Sequence, residues 1–171
     1  GLNNSDLILL GKHENVESTA LMRFLFFLPD SIKEDILDGS LEIIESSMVM
    51  RLIYTYGDKA SSFDFSVHKI NSSWNSLTFN KDSLQYLDYE TLDRSSNRVV
   101  GDTIVTFDFD KELVKEWLNA FANDEQVEIN KGLYFNYISG SNKVIGFPAI
   151  SSYNKDYIAR LNLVVAVPGS Y

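Results

Sequence analysis

Short apolar runs alternate with polar, turn-forming stretches along most of the chain, and one segment breaks that rhythm. Residues 103–137 read as a strand, an amphipathic helix, a turn and a second strand. Leu113, Val114, Trp117, Leu118 and Phe121 recur at helical spacing and form one apolar stripe. Lys111, Glu112, Lys115, Glu116 and Asn119 take the other side. A helix this short is marginal alone in water, so its stripe needs a sheet to pack on. Asp110 is placed to cap it by accepting from the first free backbone N–H groups.

Elsewhere the periodicity is that of strands. Leu7–Leu10 is short and apolar, Gly11–Ser18 is a polar connection, and Ala20–Leu28 is apolar throughout except for Arg23. Pro29–Ser40 is polar, with room for one helical turn around Ile32–Leu37. Leu41–Ile44 and Met48–Tyr54 read as two strands, or as one broken at Ser46 and Ser47. Phe63–Ile70 alternates, with Phe63, Phe65 and Val67 on one face and Asp64, Ser66 and His68 on the other. Asn71–Arg98 is a long irregular stretch. Val99–Phe109, Gly132–Ile138, Val144–Ile150 and Tyr157–Val167 complete the strands. Close-spaced strands with one helix predict an all-β, antiparallel sandwich, a single domain over residues 1–171 with one short helix around 111–122.

Composition narrows the partners. The chain has 171 residues and a net charge of -9, which argues against nucleic acid and anionic membrane surfaces, since both require a basic footprint. It contains no cysteine, so disulfides, thiolate metal sites and cysteine nucleophiles are excluded. No apolar run reaches the ~20 residues of a membrane-spanning helix.

The order of motifs resembles the DNRLRE-type domain, a jelly-roll-like β-sandwich of secreted and surface proteins, mostly bacterial, related to certain carbohydrate-binding modules. Arg23-Phe24 ahead of Leu28-Pro29 is similar to that family's opening strand, and Val67 through Trp74 to its strand ending in Trp. Phe107-Asp108-Phe109-Asp110 followed by Val114 and Trp117 resembles its helix entry. Asn130 to Leu133, Phe147 to Ser151 and Arg160 to Leu163 resemble its later strands. After Trp74 the chain departs: Asn75-Ser76-Leu77-Thr78-Phe79 lacks the family's acidic residue and second Trp. The family's first strand has no counterpart before Leu7. The resemblance implies a place outside the cytoplasm, at a cell surface or in the periplasm, with a secretion signal removed ahead of Gly1.

Candidate chemistry is sparse. Asp108 and Asp110, two apart at a strand end, read as helix capping and a favourable interaction with the helix dipole, with a carboxylate pair for structural calcium as the alternative. Asp64, Ser66 and His68 share a strand face, but a catalytic triad converges from separate loops, so they read as a solvated face. With only His13 and His68 in the chain, a histidine metal cluster has no basis. No phosphate loop or nucleophile elbow is present.

The aromatics carry more. Trp74, Tyr86, Tyr89 and Tyr153 sit in or beside segments rich in Ser, Asn and Asp, the combination a sugar site uses: rings cover C–H surface and polar groups fix hydroxyls. Arg94 belongs to the same long connection, and its side chain and the tyrosines are expected to line a shallow groove. The expected function is a non-catalytic, carbohydrate-binding-like module that takes a polysaccharide or glycan. The alternative is a structural or adhesive module that joins neighbouring domains of a larger surface protein and binds no sugar. No catalytic residue, cofactor or membrane-inserted segment is expected.

Overall fold

The computed structural model describes residues 7–75, 79–138, 142–148 and 159–169. Its strands are β1 (Leu7–His13), β2 (Val16–Ser18), β3 (Ala20–Met22), β4 (Glu42–Arg51), β5 (Tyr54–Gly57), β6 (Phe65–Lys69), β7 (Ser95–Val100), β8 (Ile104–Phe109), β9 (Leu133–Tyr137), β10 (Lys143–Pro148) and β11 (Arg160–Ala166). The helices are α1 (Asp30–Leu37), α2 (Lys111–Ala122) and α3 (Gln126–Ile129), with a 3-10 turn at Lys81–Tyr86.

All strand pairs are antiparallel. One layer runs β5-β10-β1-β2 and continues as β3-β9-β6, because only Thr19 separates β2 from β3. The other layer is β11-β4-β8-β7. The two meet face to face as an all-β sandwich. Phe65 on β6 lies 5.5 Å from Phe107 on β8, ring centre to ring centre, and Phe135 on β9 lies 6.1 Å from it. Leu10, Met48, Met50, Val105 and Ile145 complete the interior. The inward residues occupy alternate strand positions, as the pleat requires.

Helix α2 starts where β8 ends. Asp110 caps it by accepting from the N–H of Glu112 at 3.0 Å. Leu113, Val114, Trp117 and Leu118 are all buried, and Trp117 packs 5.7 Å from the Phe109 ring. The amphipathic stripe therefore does what its spacing requires. Its outer face is tied back to the sheet by Lys69 to Glu116 at 2.7 Å. Gly132, just before β9, has φ +91, and a Cβ there would meet the Met22 carbonyl oxygen at 2.5 Å. Only glycine permits that approach.

Several sequence expectations change. Gly11–Ser18 is no loose connection: β1 and β2 form a hairpin through it. Ser46 and Ser47 do not break β4, which is continuous because β11 and β8 pair with it on both edges. Val99–Phe109 is two strands, β7 and β8, folded on each other at Gly101, whose N–H donates to the Ile104 carbonyl at 2.9 Å. The irregular connection consequently ends at Arg94. The turn expected in Pro29–Ser40 is the two-turn helix α1, packed on α2, so the helix at 111–122 has company. Ala20–Leu28 is a paired strand only as far as Met22. Residues 150–158, where the last two expected strands end and begin, lie outside the described residues. Among the described residues no helix is long and apolar enough to cross a membrane.

Candidate functional site

The connection between β6 and β7 folds back over the outer face of the β3-β9-β6 sheet. Outward positions there are apolar: Leu21, Ile70 and Tyr134. They form a second, smaller core with Leu87, Leu84, Trp74 and Phe79 from the connection. An antiparallel sheet with one solvated face would carry polar residues at those positions, so this is a sheet covered on both sides.

His68 shows the consequence. It is buried under the connection, not part of a solvated face. Its Nδ1 lies 3.2 Å from the Leu92 carbonyl oxygen, which can only accept, so Nδ1 donates there, and Nε2 shares a hydrogen bond with Ser66 Oγ at 2.7 Å. Asp64 takes no part: both its oxygens face Arg98, at 2.8 and 3.2 Å. The imidazole thus ties the connection to the sheet beside the rings of Tyr89 and Tyr134. The Tyr134 phenol is pushed up to about 12, by burial first and by neighbouring Tyr89 second, and stays protonated at neutral pH.

The aromatic candidates separate. Trp74 is half-buried. Its Nε1 donates to the Lys131 carbonyl at 2.6 Å and its ring meets Phe79 edge-on at 6.4 Å, which fixes the indole. Tyr86, at the end of the 3-10 turn, is 80 % exposed. That turn is held by Asn80, whose side chain accepts from the N–H groups of Asp82 and Ser83. Trp74, Phe79 and Tyr86 line a shallow depression of about 480 Å³, with Ser73, Asn75 and Ser83 as its polar members. Tyr89 stands apart, stacked on Tyr134 at 4.5 Å. Tyr153 lies outside the described residues.

Arg94 does not join the tyrosines. Asp110 and Glu90 hold its guanidinium at 2.5 and 2.7 Å, so it locks the helix cap to the end of the connection. It borders a different depression of about 520 Å³, beside α2 and α3, together with Lys115, Glu112 and Glu116. The carboxylate pair suited to calcium is likewise committed elsewhere. Asp108 accepts from the Asn97 side chain at 2.7 Å, while Asp110 serves Arg94 and the helix N-terminus. Among the described residues no group of three His, Cys, Asp or Glu side chains could hold a metal ion.

The ion pairs set the acid response. Hydrogen bonding to Arg98 holds the Asp64 carboxyl below its ordinary value, and Arg94 does the same for Glu90. A depressed folded value means stability that is fully present above the unfolded value and lost as pH falls through the folded one. The midpoint of urea unfolding should therefore fall steeply below about pH 4. Asp64→Asn should flatten that decline. An unchanged slope would show that Arg98 does not act through Asp64.

No family model, curated protein or solved structure matches the chain.

Proposed function

We propose that the domain is a non-catalytic glycan-binding module whose site is the depression beneath Tyr86. The observation that carries this reading is a large, exposed phenol beside an immobilised indole, with hydroxyl and amide groups in the same hollow. Rings of this kind stack on the C–H faces of sugars, and polar neighbours select hydroxyl orientation. The depression is shallow, so binding is weak: little area is buried and the sugar's hydroxyls must shed water. The resemblance to surface β-sandwich domains agrees with a role outside the cytoplasm.

Calorimetry with hexasaccharides of glucose, xylose and mannose tests this. One of them should bind, and Tyr86→Ala should weaken it by about five- to tenfold, the usual cost of removing an aromatic anchor. Tyr89→Ala is the control and should leave affinity unchanged, because Tyr89 packs on Tyr134 outside the depression. Absence of binding heat for every sugar, or equal affinity in the Tyr86 variant, would refute the site.

A further inference from the structure

Phe24–Leu28 is strand sequence with one edge that no described residue pairs. It reads FLFFL, without a polar residue, and continues from β3 with no turn or bend. Phe24, Phe26 and Leu28 pack against the core, whereas Leu25 and Phe27 face solvent, Phe27 at 88 %. One backbone edge is satisfied by side chains in place of a neighbouring strand. The Gln126 amide donates to the Phe26 carbonyl at 3.0 Å and accepts from the Phe26 N–H at 2.8 Å. Asn130 donates to the Phe24 carbonyl. In an extended chain the N–H and C=O of successive residues point to opposite edges, so those of Leu25 and Phe27 face the other way. No described residue bonds to them.

Exposed edges are normally blunted by a lysine, a proline or a bulge. Here Pro29 comes only at the end, and Arg23 is turned away to the carbonyls of Asn130 and Val127. We propose that this open edge accepts an extended segment of another protein as an added β-strand, with apolar residues at alternate positions and lysine or arginine between them. Backbone hydrogen bonds to Leu25 and Phe27 supply affinity, and the two outward side chains supply the apolar contact. The charge follows from the flanking helix. Asp30 and Glu34 on α1, which follows the segment directly, are exposed and have no ion-pair partner among the described residues. Lys33, the cation between them, is held by Asp124 at 3.0 Å. A second copy of this chain would bring the same carboxylates and a net charge of -9. The edge involves no residue of the depression beneath Tyr86, so the two sites stand or fall separately.

Fluorescence anisotropy with a capped, labelled hexapeptide of alternating lysine and valine tests this. The peptide should bind, and Phe27→Ser should weaken it by about tenfold or more while leaving the circular dichroism spectrum intact. A peptide N-methylated at every amide, and a glutamate–valine peptide, should both fail. Amide exchange at Leu25 and Phe27 should slow when the lysine–valine peptide is added. Failure of that peptide to bind, equal binding by Phe27→Ser, or equal binding of the N-methylated peptide would overturn the proposal. So would self-association abolished by Phe27→Ser, which assigns the edge to a second copy. Slow exchange at both amides without peptide would overturn it as well, since the chain's own residues then cover the edge.

Discussion

Trp117→Ala lowers the free energy of unfolding by about 3–5 kcal/mol in chemical denaturation, the largest effect expected of a single side chain here. The indole is 1 % exposed and packs on Phe109, so its removal leaves a cavity where α2 meets the sheet. Trp117→Phe separates packing from polarity. It keeps a ring against Phe109 and removes an Nε1–H that has no hydrogen-bond partner among the described residues. Its cost should stay below about 1.5 kcal/mol, because lost volume is partly offset by an unpaired donor no longer being buried. A loss under about 1 kcal/mol for the alanine variant would mean that α2 does not rest on its apolar stripe.

Asn130→Ala costs about 2–4 kcal/mol, from about 1–3 kcal/mol for the buried Gly132 N–H left without a partner and about 1 kcal/mol for the half-buried Phe24 carbonyl. Asn130 is fully buried, its Nδ2 donating to the Phe24 carbonyl and its Oδ1 accepting from the Gly132 N–H at 3.1 Å. Both partners sit where the chain has left its regular ladder, so no neighbouring strand can replace the amide. Asn130→Asp sharpens the test. It retains the acceptor for Gly132 but sets a carboxylate against the Phe24 carbonyl, and burial favours its protonated form. Its instability at neutral pH should lessen as the pH falls, opposite to the acid response of the wild type. An alanine variant as stable as the wild type would show that Gln126 and the packing of Phe24 and Phe26 hold the extended segment without Asn130.

The candidate site was partly legible. Trp74 and Tyr86 are recognisable because bulky aromatics among Ser and Asn are conspicuous, and the fold puts both in one depression. Arg94 was misread for a definite reason. Its partners Glu90 and Asp110 are near in sequence, but only the pairing of β7 with β8 sets Asp110 beside it. His68 looked solvated because alternation along a strand says which face a residue is on, not what lies over that face. The apolar outward residues Leu21, Ile70 and Tyr134 were the signal that something does.

Local chemistry determined the pieces. Helical spacing and an acidic cap specify α2, alternation specifies β6, and the lack of cysteine excludes disulfides and thiolate metal sites. These properties depend on near neighbours, so one sequence carries them. Tertiary structure decided the rest, because hydrogen-bonding partners in a sheet are distant in sequence. It joined β1 to β10, made β4 one strand by pairing both its edges, and folded the connection onto the outer sheet. It also left the apolar run after β3 extended, with Gln126 and Asn130 standing in for a strand on one edge and nothing described on the other. Phe24–Leu28 has the composition of a strand, but a ladder needs a partner, and whether one arrives is settled by the fold.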